Sequence, residues 1–345
     1  MSRLRIGVIF GGRSGEHEVS LMSAKSIVSA LDPERYEVIT VGITKEGKWV
    51  QTDQSLALEQ GQEISPIVPD PTVDKPFDVV FPVLHGTYGE DGTIQGLLEL
   101  ANIAYVGAGV AGSAASMDKG LMRSLFANAG LPLLNWEVFT RYQWESDPDT
   151  VLSLIEERLG YPCFVKPANL GSSVGINKAT NREELVKALN EAAEFDRRLV
   201  VEQAANKPRE IECSVLGNEQ PIASIPGEIV PGNEFYDYQD KYISEQSQLI
   251  IPARLSLELE QTIQEYAIKA YQAVDCAGMA RVDFFLDVDG QIYINEINTI
   301  PGFTKISMYP KLWEATGISF SQLLDNLIEL ALDRHRERNR NRTSI

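Results

Sequence analysis

Cysteine is scarce. Cys163, Cys213 and Cys276 are the only three in 345 residues. They stand far apart with no CxxC pair, which excludes a disulfide framework and a cysteine-based zinc or redox site, and leaves reduced, buried thiols. Long apolar runs are also missing. No stretch approaches the length that spans a bilayer, and the opening residues run straight into a strand and a glycine turn without the apolar core of a cleavable leader. The expectation is a cytoplasmic protein with no membrane partner. Positive charge is short as well: 31 Lys and Arg against 49 Asp and Glu give −18. That balance disfavours a nucleic-acid or anionic-membrane binder, so any phosphate must be met locally by placed cations and backbone N–H groups.

What is present suffices for two or three packed domains, since the hydrophobic fraction of 43% is ordinary for a globular chain. The first part reads as α/β, with strands at Leu4–Phe10, Tyr36–Ile43 and Asp78–Leu84 in a parallel sheet and a helix over 19–31. The polar 51–75 segment reads as an excursion over the surface. A Gly- and Ala-rich run at 108–116 leads into Lys119, and a boundary is placed there. A compact α+β unit follows, with helices near 118–129, 149–159 and 182–194 and strands at Cys163–Pro167, Leu199–Gln203 and Glu210–Leu216. From Gln220 onward strands, a hairpin and helices near 258–273 and 320–334 make a third unit. The domains expected are 1–118, 119–216 and 217–345. Arg334, Arg336, Arg338, Arg340 and Arg342 read as a solvated helix end.

The most informative feature is that hairpin. Arg281-Val282-Asp283-Phe284-Phe285 turns at Asp289-Gly290 and returns as Ile292-Tyr293-Ile294-Asn295-Glu296-Ile297-Asn298. With a two-residue turn facing Val288 to Gln291, alternation sets Asp283 opposite Glu296 and Arg281 opposite Asn298, all on one face. Two carboxylates directly across an antiparallel pair repel, and apolar neighbours do not solvate them. A hard divalent cation would neutralise them, and an all-oxygen set of Asp, Glu and Asn amide suits Mg²⁺ shared with substrate phosphates better than zinc. A surface hairpin with scattered acids is the plainer alternative.

Lys166 ends a strand before a loop of Gly and Ser, Gly171-Ser172-Ser173-Val174-Gly175, where unhindered N–H groups can close over phosphate oxygens. The spacing is not Walker A, and an ordinary mobile turn reads equally well until the hairpin and a second cation, Lys119, are added. Together they supply the cations, loop and metal ligands of phosphoryl transfer. The turn Gly11–Glu18 after the first strand fails the dinucleotide pattern. Its acids would repel a pyrophosphate and suit an ammonium group, so Glu16 reads as a substrate residue or else as a helix-start charge. His85-Gly86-Thr87-Tyr88-Gly89-Glu90-Asp91-Gly92 also sits at a strand end. His85 is either part of the site or a satisfied structural histidine, and Glu90 and Asp91 read as the start of a helix.

Taken in order, HEVS at 17–20, HGTYGEDG at 85–92, FVKPANLGSSVGI at 164–176, EFYDYQDKY at 234–242, ARVDFF at 280–285 and NEINTIPGFT at 295–304 closely resemble the D-alanine:D-alanine ligase family of the ATP-grasp superfamily, nearly end to end. The resemblance implies an N-terminal Rossmann-like (pre-ATP-grasp) domain and two ATP-grasp subdomains. It also implies ATP-driven joining of two D-alanines through an acyl phosphate, for peptidoglycan precursors, by a cytoplasmic homodimer.

Carried over position by position, the family's roles place Lys119, Lys166, Gly171, Ser172 and Ser173 at the phosphates, Glu202, Gln203 and Ala205 at the adenine, and Glu210 at the ribose. Asp283, Glu296 and Asn298 would hold two Mg²⁺ (or Mn²⁺). Glu16, helped by His85, would bind the first D-alanine ammonium, and Arg281, Gly302 and Ser307 would surround the second amino acid and the reaction centre. The Gly-Ser loop and the 235–242 segment read as lids. A Glu16, Ser172 and Tyr242 network is expected to accompany amide rather than ester formation, with packing of a lid as the plainer role for Tyr242. Ligation to D-lactate or D-serine, and nucleotide binding without turnover, are the rival readings.

Overall fold

In the computed structural model, residues 3–53, 55–171, 175–230, 248–304 and 306–342 are described. Ser172, Ser173, Tyr242 and the rest of the expected lid at 235–242 lie outside them. The first sheet is built from β1 (Leu4–Gly11), β2 (Tyr36–Ile43), β3 (Trp49–Thr52), β4 (Gln62–Glu63), β5 (Val79–Val83) and β6 (Ala104–Tyr105), in the order β4-β3-β2-β1-β5-β6. β1, β2, β5 and β6 are parallel, as expected, and their residues are nearly all buried, the mark of strands covered on both faces. The polar 51–75 stretch departs from expectation, because its first half supplies the end of β3 and all of β4 as antiparallel edge strands.

Helices α1 (His17–Ala30) and α2 (Thr93–Leu100) follow β1 and β5. Gly11, at φ +88, makes the turn out of β1 possible, since a Cβ there would lie 2.3 Å from the Ile43 carbonyl oxygen. The small-residue run becomes helix α3 (Val110–Met117), where a Cβ on Gly112 would meet the Asp275 carbonyl oxygen at 2.6 Å, so small residues here buy a close backbone approach. Asp118 then caps α4 (Lys119–Asn128) through the Gly120 and Leu121 N–H groups.

The second sheet, β7 (Trp136–Thr140), β8 (Cys163–Pro167), β9 (Asn177–Ala179) and β10 (Arg198–Gln203), is antiparallel in the order β7-β10-β8-β9. Helices α5 (Arg141–Ser146), α6 (Pro148–Arg158) and α7 (Arg182–Phe195) bury one of its faces through Trp144, Ile155, Leu185 and Leu189. The third sheet holds β11 (Arg209–Gly217), β12 (Ile222–Ala223), β13 (Gly227–Val230), β14 (Gln248–Ile250), β15 (Gly278–Leu286) and β16 (Ile292–Asn298), with β14-β13-β11-β15-β16 as its path. Strand β11, read from the sequence as the last of the central unit, pairs with β13 and β15 instead. Helices α8 (Leu257–Ala273) and α4 cover one face of this sheet through Ile263, Tyr271, Met122 and Phe126.

The hairpin of β15 and β16 corrects the sequence reading in an instructive way. Asp287 N–H donates to Gln291 O at 3.0 Å, so the turn holds three residues, with Gly290 at φ +78, and Val288 does not face Gln291. A bulge at Asn295 then restores the register, and beyond it Asp283 faces Glu296 and Arg281 faces Asn298. One extra residue in the turn is offset by one in the strand.

Helices α9 (Met308–Thr316) and α10 (Phe320–Arg338) close the chain against the first sheet. Phe303 packs edge-on to Phe81 at 5.8 Å and against Tyr309 at 5.4 Å, anchoring the 299–304 loop. The end of α10 is not simply solvated. The Arg334 guanidinium lies 4.1 Å from the Tyr105 ring centroid and Arg338 pairs with Glu99 at 3.2 Å, while Arg336 pairs with Asp333 and Arg340, just past the helix, with Glu337.

Candidate active site

The faces of the second and third sheets left free by their helices meet the strand ends of the first sheet around a cavity of about 1210 Å³. Every expected site residue among the described ones lines it: Glu16 and His85 from the first sheet's turns, Lys119 from α4, Lys166, Gly171, Glu202, Gln203 and Ala205 from the second sheet and its loops, and Glu210, Arg281, Asp283, Glu296, Asn298, Gly302 and Ser307 from the third sheet and the segment after it.

On the second sheet, β8 and β10 are neighbours, and the Lys166 ammonium lies 2.8 Å from Glu202 Oε2. Glu202, expected at the adenine, has its carboxylate held on the other side by Arg123 at 2.9 Å, so that side chain is committed to cations. Burial pushes its pKa up, but Arg123 and Lys166 together hold it below the usual glutamate range. Lys119 starts its helix with the ammonium 3.0 Å from Leu170 O and 3.5 Å from Glu296.

On the third sheet, Arg281 grips Asp283 with two bonds of 2.7 Å and reaches Glu212 on β11 at 3.0 Å. The Asn298 amide donates to Asp283 Oδ2 at 3.0 Å. Among the described residues no three His, Cys, Asp or Glu side chains converge to hold an ion unaided.

The third corner belongs to the first sheet. Glu16, at the start of α1, is buried beside two glycines, since a Cβ on Gly86 or Gly171 would approach its Oε2 to 2.8 or 2.7 Å. His85 is buried. Its Nδ1 faces Ile300 O at 3.0 Å, which fixes the proton there, and Nε2 accepts from Ser23 Oγ at 3.3 Å. Burial lowers its pKa more than Glu16 and the carbonyl raise it, so the ring is neutral. Glu90, expected at a helix start, precedes α2 and enters the cavity wall, accepting from Gly86 N at 2.7 Å and Ile300 N at 3.2 Å. Burial, then Glu16, drives its carboxyl up to about 8 despite those two donors. At the far side Ser307 Oγ bonds Thr304 N at 3.0 Å, and the backbone of Gly302 lies against it.

Sequence reading missed Arg123, Glu212 and Glu90. Only Glu90 carried a signal, an acid inside a glycine-rich turn at a strand end.

Three sheets around one cavity, with paired lysines on one wall and facing carboxylates on another, define an ATP-grasp enzyme. The chain belongs to the D-alanine–D-alanine ligase family: family models described as D-ala D-ala ligase N-terminus and C-terminus match residues 5–108 and 125–329. It is 54% identical to a D-alanine–D-alanine ligase of Heliobacterium modesticaldum, over 99% of this chain and 98% of that one. Among solved structures it is similar to the D-alanine-D-alanine ligase from Coxiella burnetii, at 39% identity and a TM-score of 0.87, covering 99% and 97% of the two chains. It is also similar to the VanG D-Ala:D-Ser ligase from Enterococcus faecalis, at 39% identity and a TM-score of 0.86, covering 96% and 100%. Among the described residues no helix is long and apolar enough to cross a membrane.

Proposed function

We propose that the protein joins two D-alanines to D-alanyl-D-alanine, with ATP cleaved to ADP and phosphate, to supply peptidoglycan precursors. The observation that carries this reading is the meeting, in one cavity, of Lys119 and Lys166, the Asp283–Glu296 pair and the buried Glu16 carboxylate. Glu16 receives the ammonium of the first D-alanine and His85, neutral and fixed, walls its site. The carboxylate of that D-alanine attacks the γ-phosphorus and ADP leaves. Lys119 and Lys166 exchange Glu296 and Glu202 for phosphate oxygens, which makes the cation supply part of ATP binding. The amine of the second D-alanine then attacks the acyl phosphate carbonyl and phosphate departs. The Arg281 guanidinium and the Gly302 N–H stabilise the oxyanion, with Ser307 ordering that loop.

Gln203, Ala205 and Glu210 face the nucleoside end. Asp283, Glu296 and Asn298 would hold two Mg²⁺ (or Mn²⁺) through their side-chain oxygens, an all-oxygen donor set that suits a hard cation. When bound, the ions would neutralise triphosphate charge. The reading includes Gly171 as a phosphate-loop residue, a cytoplasmic homodimer as in the family, and three domains, with the first boundary at 118 and the second moved from 216 to before β11. Ser172, Ser173 and Tyr242 keep their proposed roles at the phosphates and in acceptor choice.

Phosphate release from ATP with D-alanine, L-alanine or D-lactate side by side tests the reaction. Turnover with D-alanine alone is expected, and nucleotide binding without release would overturn it. The likeness to a D-Ala:D-Ser ligase favours a second reading, ligation to D-serine. Product analysis with D-serine and D-alanine in competition separates the two. Tyr242→Phe is expected to relax rejection of D-lactate.

A further inference from the structure

Arg123 has no part in the reaction described above, yet it is one of the most deeply buried charges in the molecule, 1% exposed. It projects from α4, the helix that begins with Lys119. Its Nε and Nη2 lie 2.9 and 2.8 Å from Glu202 Oε1. The opposite carboxylate oxygen, Oε2, takes the Lys166 ammonium at 2.8 Å. The same Nη2 donates to the carbonyl of Asn295, the bulge residue of the hairpin, at 3.4 Å.

A buried structural ion pair is neutral, because an uncompensated charge is costly away from water. Here two cations share one carboxylate, which leaves an excess positive charge under the cavity floor, on the side where Lys119 also lies. Such an excess is destabilising until a polyanion arrives, and it is stabilising afterwards. Among the described residues Arg123 Nη1 and the Asn295 side-chain oxygen are both buried without a hydrogen-bond partner. Both atoms lie where α4 meets the hairpin, beside the Arg123–Asn295 bond.

We propose that Arg123 is a positioning residue of the nucleotide site: it shares Glu202 so that the Lys166 ammonium is held in place yet can be released to phosphate, and it ties that lysine to the strand bearing Glu296 and Asn298. One guanidinium thus links the two walls that must close on the triphosphate. The inference rests on the nucleotide reading above.

The test measures KM for ATP, KM for D-alanine and calorimetric binding of ADP, in wild type, Arg123→Met, Arg123→Lys and Lys166→Met. In Arg123→Met, Glu202 has Lys166 as its sole partner and withholds it. KM for ATP and the ADP dissociation constant are expected to rise about tenfold or more, with KM for D-alanine within about twofold. Arg123→Lys keeps the charge but loses the fork, and should recover only part of the loss. If the methionine variant fails to fold, the lysine variant carries the test on the same split. Equal rises in both KM values, or full recovery by lysine, would overturn the positioning role. Wild type and Lys166→Met binding ADP alike would instead overturn the nucleotide reading itself.

Discussion

The two ends of the cavity solve opposite electrostatic problems. At the lysine end the cations lie beside carboxylates: Glu202 is shared by Arg123 and Lys166, and Lys119 is near Glu296. At the Glu16 end two carboxyl groups, Glu16 and Glu90, stand against a neutral His85, and burial with mutual repulsion shows in the raised pKa of Glu90. On the proposed reading, the first end exchanges partners, its protein carboxylates giving way to phosphate oxygens, and the second receives the substrate ammonium. A ligase that binds ATP and an amino-acid ammonium needs both, a few side chains apart.

The sharpest way to break this contrast is to remove a cation from the first end. Lys166→Met leaves Glu202 with Arg123 alone and takes away a phosphate contact, and kcat/KM is expected to fall by about 10²–10³-fold, a loss typical of one preorganised transition-state contact. Steady-state kinetics at saturating D-alanine check it. A fall below about fivefold would mean that the lysine is only half of a structural pair.

At the other end Glu16→Gln keeps the shape and removes the charge. KM for D-alanine is expected to rise by about 30-fold, the scale of losing a buried charge-assisted bond, while KM for ATP stays near wild type. Equal rises would erase the division between the ends.

Glu90 gives the contrast a pH signature. Its folded-state pKa, about 8, lies above the ordinary value of 4.5. The folded protein therefore keeps a proton that the unfolded chain has released. The associated stability is complete below pH 4.5 and is lost as pH rises to about 8. Glu90→Gln does not titrate there, so denaturant unfolding should show wild type losing roughly 1–3 kcal/mol relative to the variant over that range. Parallel stability profiles would show Glu90 ionised throughout.

Much of this site was legible in the sequence because it sits on regular elements. Cys163–Pro167 and Tyr36–Ile43 were read with their observed ends, and alternation along β15 and β16 put Arg281, Asp283, Glu296 and Asn298 on one face. The turn was misjudged by one residue and the Asn295 bulge compensated, because a period of two cannot reveal an insertion that another insertion cancels. Arg123 and Glu212 were illegible for a different reason. A charge inside a helix or strand reads as solvated unless its partner is known, and Glu202 is 79 positions from Arg123. The 51–75 segment hid β3 and β4 because short, polar edge strands carry little pattern.

The smallest expected effect falls where the two ends touch. Gly171 was assigned to the phosphate loop, yet a Cβ there would stand 2.7 Å from Glu16 Oε2, a contact real side chains do not tolerate. Its φ is not in the left-handed region, so alanine strains no backbone and acts only through that contact. The Glu16 carboxylate is the far end of a flexible side chain and can yield by a small displacement. Gly171→Ala is therefore expected to raise KM for D-alanine by only about three- to fivefold, some 0.7–1 kcal/mol, with KM for ATP less affected. The reverse order, ATP disturbed and D-alanine untouched, would place the glycine's requirement in the phosphate loop, and the border between the two ends would then lie on the other side of residue 171.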